Sequence, residues 1–137
     1  MLSSWSDNPD AGVKYFSGTG AYEGTIDAPP VWFKPGERLW IDLGAVKNLA
    51  EVAVNGKAMG ILWHPPYRLD VTGVLKPGPN QLAVRVTNAW VNRLIGDRQP
   101  GAAATYTFAD VTPYKADSPL LPSGLLGPVQ ILSRGTR

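Results

Sequence analysis

The most constraining feature of this chain is an alternation of apolar and polar residues that recurs in five short segments. Apolar side chains at every second position are typical of a strand that buries one face. The segments comprise residues 22–27, 39–43, 51–54, 67–72 and 82–87. No window of a dozen residues has sustained helical periodicity, although residues 89–95 could form one or two helical turns. The pattern therefore predicts an all-β protein.

Turn residues stand between these segments. The chain has 15 glycines and 13 prolines, a larger share than most proteins carry. Asn55-Gly56 is the strongest hairpin signal, because both central positions of a type I′ turn need a positive φ. Pro35-Gly36 and Pro77-Gly78 mark further turns. Short strands separated by such turns predict a single antiparallel β-sandwich, a jelly roll, over residues 1–137, with a five-stranded barrel as the alternative.

The alternation breaks between about residues 97 and 128. This stretch contains five prolines and is predicted to be a long irregular excursion before a last strand at residues 129–132. Loops of this length inside a compact domain are usually functional or disordered. The apolar content of the excursion, which includes Tyr106, Phe108 and Leu125, argues against disorder. We therefore expect it to pack either on its own sandwich or on a neighbour.

Composition removes several classes of chemistry. There is no cysteine, so the chain can form no disulfide, thiolate nucleophile or Cys-ligated zinc site. His64 is the single histidine, which leaves carboxylates and backbone oxygens as metal ligands. The 13 basic and 11 acidic side chains nearly cancel and form no basic run, so we expect no nucleic-acid partner. No apolar stretch is long enough for a membrane span, and no signal peptide is recognisable.

A series of motifs along the chain resembles a known family. The first set is Asp42-Leu-Gly44, Val52-Ala-Val-Asn55-Gly56-Lys57, Gly60-Ile-Leu-Trp63, Pro66-Tyr67-Arg68-Leu-Asp70-Val-Thr72 and Lys76-Pro-Gly78-Pro-Asn80-Gln-Leu82-Ala-Val-Arg-Val86. This order of strands and turns resembles the sugar-binding jelly-roll domain of family 2 glycoside hydrolases. The second set is Thr87-Asn-Ala-Trp90-Val-Asn92-Arg93-Leu-Ile-Gly96-Asp97 and Ser118-Pro-Leu-Leu-Pro122-Ser-Gly124-Leu-Leu-Gly127-Pro-Val129. It is similar to the C-terminal domain of α-L-rhamnosidase-like glycosidases of family 106.

The resemblance implies a galactose-binding-like β-sandwich that accompanies a separate catalytic barrel. No such barrel is present in these 137 residues and no catalytic residue can be carried over, so we expect a carbohydrate-binding accessory domain rather than an enzyme. Its partners would be an oligosaccharide or polysaccharide and a catalytic glycosidase domain, and the parent enzyme is expected to be secreted or periplasmic. A purely structural module is the alternative. A small independent glycoside hydrolase is a second alternative, although among eleven carboxylates some pair will always look suitable for catalysis.

Outward-facing aromatic side chains are candidates for sugar contact, because a large exposed aromatic surface needs an explanation. Trp40 is predicted to point outward, since Leu39 and Ile41 on its strand are assigned to the core. Trp63 and His64 lie where a strand ends before two prolines. The alternatives are burial of Trp40 beneath the excursion or another domain, and a surface or capping role for His64.

The densest polar and aromatic cluster in the sequence comprises Trp90, Asn92, Arg93 and Asp97. Arg93 and Asp97 are spaced for an i, i+4 ion pair on a short helix. An arginine fork beside an acceptor carboxylate is also a combination that binds vicinal diols. The cluster is therefore the first candidate for a ligand site. The alternative is a set of internal bonds that pin the excursion to the sandwich.

A structural calcium ion is the one cofactor that the resemblance suggests, because jelly rolls similar to this one often carry such an ion. Asp7, Asn8 and Asp10 offer oxygen ligands at close spacing, and Asp7 and Asp10 are the candidate ligands because calcium prefers carboxylate oxygens. The segment lacks the glycine and the distal glutamate of a hand-type calcium loop. No other cofactor is expected.

Overall fold

The computed structural model describes residues 1–111 and 113–135. Within these residues the chain forms nine strands and two short α-helices. The strands are β1 Thr19–Ala28, β2 Glu37–Asp42, β3 Ala45–Lys47, β4 Leu49–Val54, β5 Lys57–Leu62, β6 Arg68–Asp70, β7 Gly78–Thr87, β8 Gly124–Gly127 and β9 Gln130–Gly135. The helices are α1 Ala11–Lys14 and α2 Val91–Gly96, and single 3-10 turns lie at Trp5–Asp7 and Pro30–Trp32. The longest helix in this part of the chain has six residues, too few to cross a bilayer.

The strands form three antiparallel sheets around one core. The large sheet has the order β1-β7-β4-β5, the second sheet has the order β6-β2-β9, and β3 pairs with β8. Residues from all three sheets alternate into the core, among them Leu39, Ile41, Val46, Val52, Val54, Val84, Val86 and Leu125. The all-β sandwich predicted from the alternation is therefore confirmed.

The hairpin predicted at Asn55-Gly56 joins β4 to β5. Asn55 has a φ of 51° and Gly56 a φ of 77°, as a type I′ turn requires. The Asn55 side chain donates to the Val74 carbonyl at 3.1 Å and to Asn80 Oδ1 at 2.8 Å. Asn80 is 1% exposed, and its amide donates in turn to the Lys76 carbonyl at 2.7 Å. Two asparagines thus join neighbouring turns at one end of the large sheet.

The excursion expected at residues 97–128 is irregular only as far as residue 123. Residues 124–127 form β8, which pairs with β3 and buries Leu125 in the core. A four-residue strand with a glycine at each end has no alternation, which is why the pattern does not reveal it. The last strand begins at Gln130, one residue later than expected.

The part of the excursion that precedes β8 carries large aromatic side chains outward. Tyr106 is 71% exposed and Phe108 is 93% exposed. Of the two alternatives for the excursion, these two side chains do not pack on the sandwich, which leaves packing on a neighbour for this part of the excursion. Leu125, by contrast, packs in the core as expected.

The N-terminal residues close the sandwich beside β8. The backbone N–H of Trp5 donates to the Ser123 carbonyl at 3.0 Å. The backbone N–H of Ser123 donates to the Ser4 hydroxyl at 2.9 Å. The Trp5 ring packs edge-on against Phe16 with centroids 5.5 Å apart, and it stacks on Tyr22 at 6.3 Å. The segment thereby fixes the backbone of residue 123.

Candidate functional site

Four strand termini of the large sheet lie level with one another. The register places Thr87, the last residue of β7, opposite both Thr19 and Leu49, which begin β1 and β4. Leu62, the last residue of β5, pairs with Ala50. The loops attached to these termini therefore share one end of the sandwich, named here the Thr87 end.

A cavity of about 140 Å³ opens at the Thr87 end. Its walls come from three loops that are distant in the sequence, at residues 47–48, 88–92 and 121–123. The lining residues are Lys47, Asn48, Asn88, Ala89, Val91, Asn92, Leu121, Pro122 and Ser123. Lys47 carries the only formal charge among these nine described residues. The cavity thus combines one cation and several amides with apolar side chains.

Two asparagines hold the loops around the cavity together. Asn48 Oδ1 accepts a hydrogen bond from the Ala89 N–H at 3.1 Å. The Asn88 amide accepts from the Gly18 N–H at 2.9 Å and donates to the Phe16 carbonyl at 2.8 Å. The Asn48 amide nitrogen can therefore donate to a ligand, and its oxygen keeps a second acceptor position.

Asn92 and Ser123 form the buried side of the cavity. Asn92 is 2% exposed, and its amide donates to the Leu121 carbonyl at 2.8 Å and accepts from the Leu121 N–H at 2.9 Å. Asn92 therefore fixes the loop at residues 121–123. Ser123 is 1% exposed, and its Oγ has no hydrogen-bond partner among the described residues. Buried hydroxyls are normally paired, so Ser123 Oγ is an exception, but it is shielded from solvent and therefore presents no group to a ligand in the cavity.

Two exposed tryptophans stand at the same end of the sheet. Trp90 lies between two lining residues and is 64% exposed, whereas Trp63 directly follows β5 and is 72% exposed. β5 and β7 lie on either side of β4. The segments that follow these two strands therefore leave the sheet about 10 Å apart. His64 packs edge-on against Trp63 with ring centroids 4.7 Å apart, and its Nδ1 donates to the Pro65 carbonyl at 2.8 Å. Trp63, His64 and Trp90, three of the candidates selected from the sequence, therefore lie at the Thr87 end.

The ion pair predicted between Arg93 and Asp97 is present. Nε and Oδ1 are 2.9 Å apart, and the two side chains are 16% and 4% exposed. Asp97 Oδ2 accepts from the Thr107 hydroxyl at 2.6 Å, the Thr107 N–H at 2.8 Å and the Tyr106 N–H at 3.0 Å. Burial raises the pKa of Asp97, but these hydrogen bonds and the Arg93 charge outweigh burial and lower the pKa. The ion pair therefore anchors the loop at residues 106–107. Internal bonds of this kind are the alternative to a ligand site that the sequence leaves open for this cluster.

Trp40 points outward, as the alternation predicts, but it lies on another surface. Its strand is central in the second sheet, and its neighbours Leu39 and Ile41 are in the core. The Arg38 guanidinium lies over the Trp40 ring, 5.4 Å from the centroid, and the side chain is half-buried. The structure therefore does not bring Trp40 to the cavity at the Thr87 end.

Two further carboxylates, Asp42 and Asp70, are engaged at the second sheet. Burial raises the pKa of Asp42, but hydrogen bonds from the Gly44 N–H and from Arg68 lower it overall. The Thr72 hydroxyl is the largest cause of the lowered pKa of Asp70. A catalytic general acid needs the opposite shift, a raised pKa. These carboxylates are therefore suited to ion pairs and turns.

The N-terminal carboxylates have a local structural role. Asp10 caps α1 by accepting from the Gly12 N–H at 2.7 Å and the Val13 N–H at 3.2 Å. Asp7 lies in the 3-10 turn before it. Across residues 1–111 and 113–135, no group of three or more His, Asp or Glu side chains is placed to hold a metal ion. The calcium ion stays a prediction.

Sequence reasoning does not single out Lys47, Asn48, Asn88 or Ser123. For two of them a signal exists, because Asn48 precedes β4 and Asn88 follows β7, so antiparallel pairing of these strands places the asparagines together. The alternation predicts the strands but not that β4 and β7 are neighbours. The site is therefore visible only once the strand order is known.

Fold and cavity define a small antiparallel β-sandwich domain whose candidate site lies in the loops at one sheet end. No family model matches the chain. The solved rhamnosidase from Novosphingobium sp. PP1Y is 46% identical, with a TM-score of 0.91 over 98% of this chain and 12% of that protein. A Formosa agariphila protein provisionally named a beta-glucuronidase is 40% identical over 95% of this chain and 13% of its own length.

A beta-glucuronidase from an uncultured Clostridium sp. is 30% identical, with a TM-score of 0.57 over 64% of this chain and 16% of that protein. The chain thus spans about one eighth of the length of the first two relatives. All three names denote glycoside hydrolases, so the chain is similar to a domain-sized part of larger glycoside hydrolases. Membership of families 2 and 106 stays a prediction.

Proposed function

We propose that this chain is a non-catalytic accessory domain of a glycoside hydrolase and that it contacts carbohydrate at the Thr87 end. The observation that carries the proposal is the placement of exposed Trp63 and Trp90 at the end of the sheet that holds the Lys47 and Asn48 cavity. The relatives are a rhamnosidase and beta-glucuronidases, which supports a sugar as the ligand.

The side chains at this end offer the two kinds of contact that a sugar needs. An indole face provides apolar surface for the C–H side of a pyranose, and large exposed aromatics often mark such contacts. Asn48 provides an amide donor for a hydroxyl. His64 adds a further polar contact, because Nδ1 donates to the Pro65 carbonyl and Nε2 is left for another hydrogen bond.

The other sequence candidates have different roles in this proposal. Asn92 holds the cavity loop through its bonds to the backbone of residue 121, whereas Arg93 and Asp97 hold the separate loop at residues 106–107. Trp40 lies outside the site. Catalysis is assigned to the remainder of the parent enzyme, which is supported by the small share of the relatives' length that this chain spans.

Calorimetric titration of the chain with oligosaccharides that contain rhamnose, glucose or glucuronic acid tests the proposal. We expect binding without release of product. Trp90→Ala and Trp63→Ala should each weaken binding by about 1 to 3 kcal/mol, because each removes a stacking surface. Circular dichroism should show that both variants remain folded, since neither side chain is in the core.

Trp40→Ala is the matched control, because it removes an outward tryptophan from a different sheet. Its affinity should equal that of the unaltered chain. Unchanged affinity in both the Trp63 and Trp90 variants would refute this choice of site. Release of product would instead establish an independent hydrolase.

One observation favours the structural-module alternative. Tyr106, Phe108 and Val111 are between 71% and 93% exposed, although the backbone beneath them is fixed by Asp97 and the Arg93 guanidinium lies 4.9 Å from the Tyr106 ring centroid. A held loop that presents apolar side chains suits contact with another domain. Absence of binding to every sugar tested, in a folded chain, would support this second function.

A further inference from the structure

We propose that the cavity at the Thr87 end selects acidic sugars and places a uronate carboxylate on Lys47 Nζ. This inference rests on the proposed carbohydrate contact and names the class of sugar. A uronic acid combines a pyranose ring, which the tryptophans can stack on, with one negative charge, which a lysine can pair with.

Lys47 is available to a ligand. It ends β3, where Val46 is 2% exposed and Lys47 is exposed, so the lysine side chain leaves the sandwich. Four ion pairs join described residues, and all four use arginines. The Lys47 ammonium therefore has no carboxylate partner within the described part of the chain, although it lines the cavity.

The groups around Lys47 include a neutral donor and no carboxylate. The Asn48 side chain accepts from the Ala89 N–H through its oxygen, and its amide nitrogen can donate to a ligand. No acidic residue occurs among the described lining residues. A wall with one cation, an amide donor and no acidic side chain favours an anionic acceptor over a neutral hydroxyl.

The size of the cavity suits part of one sugar. About 140 Å³ equals the volume of roughly five water molecules at 30 Å³ each, which is enough for a carboxylate and the adjoining ring edge. The rest of the ring would then lie outside the cavity, where Trp90 is 64% exposed. A carboxylate on the ring edge can thus reach Lys47 while the ring face remains open to stacking.

A comparison of methyl glucuronide with methyl glucoside of the same anomeric form tests the inference. The two ligands differ by a carboxylate in place of a hydroxymethyl group, and binding to the whole chain can be followed by calorimetry and by amide chemical shifts. We expect the glucuronide to bind at least about threefold more tightly at low salt, as one partly exposed ion pair allows. Lys47→Met should reduce its affinity to that of the glucoside.

Lys57→Met is the matched control. Lys57 is exposed at the hairpin that begins β5, at the opposite end of the large sheet, so its removal changes net charge equally without touching the cavity. The preference for glucuronide should persist in this variant. Equal loss of the preference in both lysine variants would overturn the inference in favour of a general charge effect.

The remaining outcomes separate the two proposals. Equal binding of both ligands, unaffected by Lys47→Met but weakened by Trp90→Ala, would overturn the acidic-sugar inference and leave the proposed function in place. Absence of binding of either methyl glycoside and of every oligosaccharide would overturn both.

Discussion

Asp97 is the residue on which the loop before β8 most depends. One of its oxygens pairs with Arg93, and the other accepts three hydrogen bonds from Tyr106 and Thr107. The spacing of Arg93 and Asp97 on a helix predicts the first contact. The other three join residues nine and ten positions apart, and they depend on how the loop closes, which no local pattern encodes.

Asp97→Asn should lower the free energy of unfolding by about 2 to 4 kcal/mol, because it leaves a mostly buried guanidinium without its counter-charge. Urea denaturation followed by tryptophan fluorescence measures this change. Glu51→Gln is the control, since Glu51 pairs with Arg85 at 3.4 Å in side chains that are 42% and 61% exposed. That variant should lose no more than about 0.5 kcal/mol. Similar losses in both variants would contradict the account of Asp97.

The pH dependence of the unfolding free energy, compared between the unaltered chain and Asp97→Asn, gives a second test of the role of Asp97. The lowered pKa of Asp97 in the folded chain stabilises the fold above the ordinary aspartate pKa of about 3.9, and this stabilisation disappears as pH falls through the folded value. The difference in unfolding free energy between the unaltered chain and Asp97→Asn should therefore narrow on acidification. A difference that stays constant from about pH 6 to about pH 2 would contradict the assignment.

The alternating strands, the Asn55-Gly56 hairpin and the last strand can be predicted from this sequence, whereas β3 and β8 cannot. The alternating segments correspond to β1, β2, β4, β6 and β7. β3 and β8 have only three and four residues, and β8 begins and ends with glycine. Their position is fixed by pairing with each other and by the N-terminal segment at Ser123, which are long-range contacts. Periodicity within a segment carries no information about them.

The Asn55-Gly56 hairpin was predictable because its requirement is local. An added Cβ at Gly56 meets no atom within 4 Å, so the effect of Gly56→Ala comes from its φ of 77° alone. We expect a loss of about 1 kcal/mol in unfolding free energy. Denaturant titration measures it.

Gly24→Ala is the control for the hairpin variant. Gly24 lies within β1, where an added Cβ also meets no atom within 4 Å and where φ is not positive. This variant should be neutral or slightly stabilising, since alanine restricts the unfolded chain. Destabilisation of equal size at both positions would show that positive φ is not what the hairpin requires of Gly56.

The candidate site is a property of the whole molecule. Lys47, Asn88 and Ser123 are far apart in the sequence, and they line one cavity because β4 lies beside β7 and the loop at residues 121–123 is fixed by Asn92 and Ser4. Sequence reasoning selects Trp63 and Trp90, which the structure places at this end, but it also selects Trp40, which belongs to another sheet. The alternation of apolar and polar residues assigns a side chain to one face of its strand. It does not say where that side chain lies in the assembled sandwich.

The similarity to a small part of larger glycoside hydrolases supports the proposal that this site contacts carbohydrate. In that setting the sandwich supplies rigid strands, and the loops at the Thr87 end supply aromatic faces, an amide donor and a lysine. Asp42, Asp70 and Asp97 have lowered pKa values, the opposite of the shift that a catalytic general acid needs.

Amide chemical-shift mapping of the chain with a binding oligosaccharide tests the central claim most directly. We predict that the amides whose chemical shifts change cluster at the Thr87 end, at residues 47–48, 63–64, 88–91 and 121–123. Perturbations centred on Trp40 and the outer face of the second sheet, or no perturbation with any of the oligosaccharides, would contradict it.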